Sequence, residues 1–351
     1  MTFLHALILR CLDTINGDRT IYSIYHLLAG KKSSQTIQDA HLYKLSPLFK
    51  TMPGLGRRQF ELNIEELHEK SYISFLEDTT KCKVTEEGNK SYSLFFQETK
   101  NFNYIDGWKY QDTSIQFWKR LTLLIQALSH LNHSVNRYFP IQRDEEVLGW
   151  VRDFFRNDHG NRLCISKDLY SEMQSIFSND FPEDPYFIVA RLSGFELIGL
   201  TQKQIADNVG LEEIESYFRF LNGLHYLIQT VISEKKRYPF LFTLVSDIYK
   251  PLPLTKSTVH TYKLLQQDLT ITQIAELRKL KQGTVEDHII EIALLDPEFS
   301  IKPFVENRQA AAILETAKQL GHKKLKPIKE KVKDSSYFQI RLVLAKAGEK
   351  M

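Results

Sequence analysis

Thr270-Ile-Thr-Gln-Ile-Ala-Glu-Leu-Arg-Lys-Leu-Lys-Gln-Gly-Thr-Val-Glu-Asp-His288 is the stretch from which the fold can be read. It has the pattern of two short helices joined by a tight turn. Thr270 is placed to cap the first helix, with Gln273 three residues on as in a capping box. Ile274 and the small Ala275 face the neighbouring helices, Leu280 fills the turn, and Val285 locks the second helix onto the first. Ser257 to Gln267 supplies a preceding helix, with Val259, Tyr262 and Leu264 or Leu265 on one face. Such a helix pair is a common way to present a helix to DNA.

Working outward, the C-terminal third holds most of the positive excess. Residues 246–351 carry 18 basic and 13 acidic side chains, against 15 and 18 in residues 101–245 and 13 and 12 in residues 1–100. Lys323, Lys324, Lys326, Lys329, Lys331 and Lys333 crowd one segment that only Glu330 opposes, and Pro327 interrupts the run. Such a cluster suits sequence-independent, salt-sensitive phosphate binding, or else a solvated helix face. The presumed recognition helix itself carries Glu286 and Asp287, which leaves base reading to Gln282 and Thr284 and weighs against a sequence-specific repressor.

Ile274-Ala275, Arg278, Leu280, Thr284-Val285 and His288, at these spacings, resemble the helicase helix-turn-helix domain found at the C-terminus of many RecQ-type helicases. Lys324-Leu-Lys-Pro-Ile-Lys329 and Tyr337-Phe-Gln-Ile-Arg341 extend the resemblance toward the chain end. In length and layout the whole chain is similar to a bacterial family called YpbB, which carries this domain without a helicase engine. The resemblance implies a RecQ-type helicase as partner, and DNA repair or recombination as setting. The candidate DNA contacts here are Arg278, Lys279, Lys281, Gln282, Thr284, His288, Lys323, Lys324, Lys326 and Lys329.

Toward the N-terminus, Thr2 to Ile15 reads as a helix ended by Asn16-Gly17-Asp18. A second run covers Thr20 to Leu28, and Ser33 or Ser34 caps a third that ends near Pro47. Gly54-Leu-Gly56 opens a fourth, Arg57 to Lys70, with Phe60, Leu62, Ile64 and Leu67 apolar. Two strand-like pieces follow, Tyr72 to Leu76 and Lys81 to Val84, and then Thr85-Glu-Glu-Gly88. This order resembles a winged helix, with Arg57 and Arg58 at the start of its recognition helix as candidate phosphate contacts or as an exposed pair capping a loop.

Lys90 to Asp112 has no clear period and reads as a linker or surface strap. From Thr113 the pattern is helical, with Phe117, Leu121, Leu124, Leu128 and Leu131 at spacings of three and four. Further helices are expected over Glu145–Arg156, Ser166–Phe177, Pro185–Ile198 and Glu212–Ser233, and Arg237 to Lys256 reads as a connector. Inside this bundle Leu200-Thr-Gln-Lys-Gln-Ile-Ala-Asp-Asn-Val-Gly-Leu211 is a second helix-turn-helix candidate. Its following helix opens with Glu212, Glu213 and Glu215, which repel phosphate and suit packing or protein binding instead.

Chemistry-bearing motifs are sparse. Gly30-Lys31 is the nearest approach to a phosphate-cradling loop, but Lys32 follows it and the upstream glycine is missing, so no ATP hydrolysis is expected. Gly54-x-Gly56 lacks the strand and third glycine of a dinucleotide fingerprint. His130 and His133 have a zinc-compatible spacing without further ligands. Glu145-Glu146 and Glu212-Glu213 are adjacent, about 100° apart on a helix, and cannot face one proton. Cys11, Cys82 and Cys164 form neither a metal spacing nor a disulfide framework, which fits a reducing cytoplasm. Met1 to Leu12 lacks the basic leader and cleavage site of a signal peptide. No run of 18 apolar residues exists, so no membrane span is expected.

The expected protein is therefore mainly α: a winged-helix-like domain (1–100), a helical bundle with an embedded helix-turn-helix-like pair (101–245) and a helicase-type helix-turn-helix domain (246–351). It is expected to be non-catalytic, without cofactor or metal, cytoplasmic and DNA-binding. An adaptor that binds only proteins, or a transcription regulator, remain the other readings.

Overall fold

The structure is a computed structural model that describes residues 1–76, 80–99, 101–157, 162–320 and 325–347. The fold is mainly helical. In chain order the helices are α1 (Phe3–Ile15), α2 (Tyr22–Ala29), α3 (Ser34–Leu42), α4 (Arg57–Glu69), α5 (Glu86–Glu98), α6 (Gly107–Tyr110), α7 (Thr113–Asn132), α8 (Glu145–Asn157), α9 (Arg162–Ser178) and α10 (Tyr186–Val189). They continue with α11 (Gln202–Val209), α12 (Glu213–Ser233), α13 (Pro239–Thr243), α14 (Lys256–Leu265), α15 (Ile271–Arg278), α16 (Gln282–Leu295), α17 (Asn307–Leu320), α18 (Leu325–Lys331) and α19 (Tyr337–Ala347). Between α4 and α5 lies an antiparallel hairpin of β1 (Ile73–Phe75) and β2 (Cys82–Val84), with Ser74 opposite Lys83.

The contacts sort the chain into two compact units, one of Met1–Leu7 with Lys90–Lys250 and one of Ile8–Asn89 with Pro251–Met351. The first is the helical bundle. Its core runs along α7, where Phe117, Leu121, Leu124 and Leu128 are buried at the spacing that defines a helix face, and continues into Leu224, Leu227, Ile228 and Val231 of α12. Phe3 joins this unit in a ring cluster with Phe95, Phe96, Phe102 and Phe218.

Three expectations for this unit need correction. The stretch from Lys90 is no strap: residues up to Glu98 continue α5, and Trp108 and Tyr110 are buried. Aromatic residues without a clean period fill the bundle surface here, which hid the helix. The helix expected over Pro185–Ile198 stops at Val189, because the chain folds back into a tight bridge between Gly194 and Leu197. A Cβ at Gly199 would sit 2.2 Å from the Arg191 carbonyl oxygen, a fit only glycine allows. The connector after Arg237 is half core. Tyr238, Leu241, Leu244 and Val245 are buried, and the carboxylate of Glu172 accepts the Phe240 and Leu241 amides at 3.0 and 2.9 Å.

In the second unit the part of α1 from Ile8 and the helices α2 to α4 lead into the hairpin, the order expected of a winged helix. Ser33 caps α3, its hydroxyl accepting from the Thr36 amide. Phe60, Ile64 and Leu67 of α4 are buried, whereas the apolar Leu62 is 43% exposed. After the hairpin Thr85 donates to the Ser71 carbonyl at 2.8 Å and accepts from the Gly88 amide at 3.1 Å. Gly88 packs so closely on the strand that a Cβ would lie 2.2 Å from the Tyr72 carbonyl oxygen. In the C-terminal part α16 is the central element, packed by α14, α15, α19 and α3. Its buried face holds Val285, Ile289, Ile290 and Ala293. A neighbouring cluster of Ile313, Ala317, Ile328, Ile340, Val343 and Leu344 joins α17, α18 and α19. No helix among the described residues is long and apolar enough to cross a membrane.

Candidate nucleic-acid interface

The helix-turn-helix is α15, the turn Lys279–Lys281 and α16. At its start the Thr270 hydroxyl accepts from the Gln273 amide at 3.3 Å, and the Gln273 side chain accepts from the Thr270 amide at 2.9 Å. The capping box thus satisfies two amides that a helix start leaves open. α15 ends at Lys279, which takes the left-handed conformation with φ 52°. The Leu280 amide then donates to the Ala275 carbonyl at 2.8 Å, closing the turn. Ile274, Ala275 and Val285 are buried, and Leu280 packs on the same cluster.

The interior of this domain is unexpectedly polar. On α14 the fully buried positions are Thr258 and Thr261, while Val259, Tyr262, Leu264 and Leu265 are only half-buried. The reason lies on α16, which brings Glu291 and His288 inward. Glu291 accepts from the Thr255 amide at 2.6 Å, the Thr255 hydroxyl at 3.1 Å and the Thr258 hydroxyl at 2.7 Å. Burial raises its pKa above the ordinary carboxylate value, and these bonds pull it partly back.

Arg278 and His288, expected among the DNA contacts, both turn inward. Arg278 donates to the Ser257 carbonyl and hydroxyl, each at 2.9 Å, and to the Thr261 hydroxyl. Arginine has no acceptor, so the Thr261 oxygen accepts there and its own proton points at His288 Nδ1, 2.8 Å away. This assigns the imidazole proton to Nε2. Burial lowers the His288 pKa, and the Arg278 charge lowers it further. Together the three side chains clamp α14 onto the turn. Hydropathy could not reveal them, because polar residues that satisfy one another look like surface residues in a sequence.

Lys279, Lys281, Gln282 and Gly283 remain outward, all exposed at the tip of α16. Among the described residues no carboxylate pairs with Lys279 or Lys281. The Gln282 amide nitrogen donates to Thr272 at 3.1 Å, and Thr284 is half-buried. One turn further on, Asp287 forms an ion pair with Arg341, whose Nε also donates to Gln38 of α3 at 3.0 Å. α3 and α19 therefore cover the second turn of α16 and neutralise its Asp287. What can reach a ligand is the helix tip, with its amides and two lysines.

The remaining candidates divide. Lys323 and Lys324 lie outside the described residues. Lys326 is exposed on α18, while the Lys329 ammonium bends back onto the Lys333 and Ser335 carbonyls at 2.6 and 2.8 Å. Pro327 sits in the first turn of α18, where a missing amide proton costs little, so it does not break the segment. Arg57 pairs with Glu61 at 2.9 Å and lies over the Tyr22 ring, and Arg58 approaches Glu65 at 3.4 Å. Both are exposed, but each is already matched by a carboxylate of its own helix.

The second helix-turn-helix, α11 and α12, repeats the capping box with Thr201 and Gln204 and places Gly210 in the left-handed position at φ 67°. Two of its three acids are committed within the bundle. Glu212 accepts from the Phe3 amide at 3.0 Å, and Glu215 pairs with Arg219 at 2.7 Å. His130 and His133 enter separate ring stacks, with Tyr138 and Phe195. Among the described residues no group of three or more His, Cys, Asp or Glu could hold a metal.

This geometry defines a helix-turn-helix protein, and a helix-turn-helix domain family matches residues 257–344. The chain as a whole belongs to the YpbB family: it is 32% identical over 347 residues to Protein YpbB of Bacillus subtilis (strain 168), an alignment covering 99% of this chain and 98% of that protein. No solved structure matches.

Proposed function

We propose that this protein is a non-catalytic DNA-binding factor that acts with a RecQ-type helicase in repair or recombination. The observation that carries the DNA contact is the exposed tip of α16, where Lys279 and Lys281 flank the free end of a helix with no carboxylate paired to either among the described residues. Phosphate contacts of this kind position a protein without reading bases. The covered second turn of α16 supports sequence-independent binding over a promoter-specific regulator, because a recognition helix laid along a groove needs that turn free. The helicase partnership rests on the resemblance of the C-terminal domain to that of RecQ-type helicases.

The test is binding of the full chain to an arbitrary duplex across a salt series. Changing Lys279 and Lys281 together to Ala should flatten the log-log salt slope by about 1.8, the sum for two phosphates. An unchanged slope would transfer the case to the adaptor reading. A pull-down with and without nuclease then separates a directly bound helicase from one bridged by DNA. One observation favours the adaptor: an apolar groove of about 530 Å³ in the bundle, lined among others by Leu128, Leu169, Met173 and Phe177.

A further inference from the structure

The Gly30-Lys31 step, too incomplete for a nucleotide motor, lies at the edge of a polar pocket of about 400 Å³ in the second unit. The pocket is bounded by the loop before α2, the outer side of α2, the turn into α3 and Lys81 at the start of the second strand piece. Gly30 ends α2 in the left-handed conformation with φ 80°, and the Lys31 amide donates to the His26 carbonyl at 2.9 Å. That turn places Lys31 beside His26 on the pocket wall.

Three cationic side chains line the space, Arg19, Lys31 and Lys81, against the carboxylates Asp18 and Asp39. Neither carboxylate is idle. Arg19 Nε donates to both oxygens of Asp39 at 2.9 and 3.0 Å, and Asp18 accepts from the Tyr43 hydroxyl at 3.2 Å. Lys31 is exposed, and no acceptor holds its ammonium among the described residues. Tyr22 and His26 add flat ring surfaces to the lining, and Thr20, Ser23 and Ser33 add hydroxyls. His26 is held below its ordinary pKa by burial first, and then by the charges of Lys31 and Arg57.

We propose that this pocket binds a phosphate monoester carried on an organic group of about nucleotide size. Lys31 supplies the uncommitted charge that a phosphoryl group selects, beside the Arg19 guanidinium that Asp39 holds. The volume exceeds what a bare phosphate ion needs, and the rings of His26 and of Tyr22, one face of which Arg57 covers, offer stacking surface to the remainder of the ligand. The phosphoryl group has two possible sources, a free nucleotide and the terminal phosphate of a DNA strand. This site is separate in residues from the α16 tip and stands whether or not that tip binds DNA.

The experiment is titration calorimetry on the full chain carrying Lys279→Ala and Lys281→Ala, so that the α16 tip contributes nothing. The probes are inorganic phosphate, adenosine 5′-monophosphate, adenosine, and one single-stranded oligonucleotide with either a 5′-phosphate or a 5′-hydroxyl. Adenosine 5′-monophosphate or the phosphorylated strand should bind, and the partner lacking phosphate should not. Lys31→Glu should weaken that binding at least about tenfold, the scale of a charge-assisted hydrogen bond. Lys31→Arg should keep it, and thermal melting checks that both variants fold. Binding of the strand alone assigns the source to strand ends, and binding of the monophosphate assigns it to free nucleotide. Equal binding with and without phosphate, equal binding by Lys31→Glu, or no binding of any phosphorylated probe overturns the proposal.

Discussion

Replacing Lys279 by glycine should make the protein more stable and a poorer DNA binder at once. Lys279 ends α15 with φ 52°. A side chain in that conformation costs about 1–2 kcal/mol, which glycine avoids. Glycine in turn adds about 0.4–1 kcal/mol of chain entropy to the unfolded state. The net gain is therefore roughly 0.5–1 kcal/mol. In a unit of this size that raises the melting temperature by about 1–4 °C. The same change deletes one of the two ammonium groups at the α16 tip, so the log-log salt slope should flatten by about 0.9. The reciprocal substitution is available in the same molecule. Gly210 occupies the matching position in α11–α12 at φ 67°, with open space where a Cβ would go. Gly210→Lys should lower stability by a similar amount and leave DNA binding alone. Thermal melting and fluorescence anisotropy on a labelled duplex measure both. A lower melting temperature for Lys279→Gly would refute the strain argument, and an unchanged salt slope would refute the phosphate contact.

Arg278→Ala should destabilise the C-terminal domain by about 1–3 kcal/mol, since it removes charged hydrogen bonds to Ser257 and to the buried Thr261 oxygen, which keeps only its bond to His288, while the salt slope holds; chemical denaturation and DNA titration together decide this. Gly88→Ala should cost about 1–3 kcal/mol by pressing a methyl group onto the Tyr72 carbonyl, read by denaturant midpoint. His225 is buried and accepts the Asp106 amide on Nδ1, and burial pushes its pKa down from 6.5 to about 3. The unfolded chain takes a proton that the folded chain refuses, so this group's contribution is lost progressively as pH falls below 6.5. His225→Gln should show a smaller fall in melting temperature between about pH 7 and pH 5 than the parent protein. The purified chain should release no phosphate from ATP, with or without DNA, in a coupled assay; turnover abolished by a substitution in this chain would contradict a non-catalytic role.

The C-terminal helix pair was legible because its signals are local. Thr270, Gln273, Ile274, Ala275 and Val285 lie within 16 residues, and each does in the structure what its residue type and spacing imply. The hairpin after α4 was legible for the same reason. What escaped was non-local or polar. Arg278 and His288 read as surface charges because their partners on α14 are threonines and a backbone carbonyl. The pairing of α3 with α16 joins segments some 250 residues apart, and no local pattern announces that Gln38 and Asp287 share Arg341. The aromatic stretch over Lys90–Asp112 had no period because its rings fill gaps between helices instead of lining one face.

The pairing of α3 with α16 also constrains how the chain comes off the ribosome. Residues Lys90–Lys250 emerge as an uninterrupted run that holds nearly all of their own unit, so that unit can consolidate while synthesis continues. The segment Ile8–Asn89 has no such independence. Its third helix must wait for α16 and α19, made only when the last hundred residues have been translated. Until then α3 lacks its cover, a long-range closure of the kind that slows folding and leaves surface open to chaperones. A chain that stops near Lys250 should therefore retain a folded bundle and carry an N-terminal segment that proteases find.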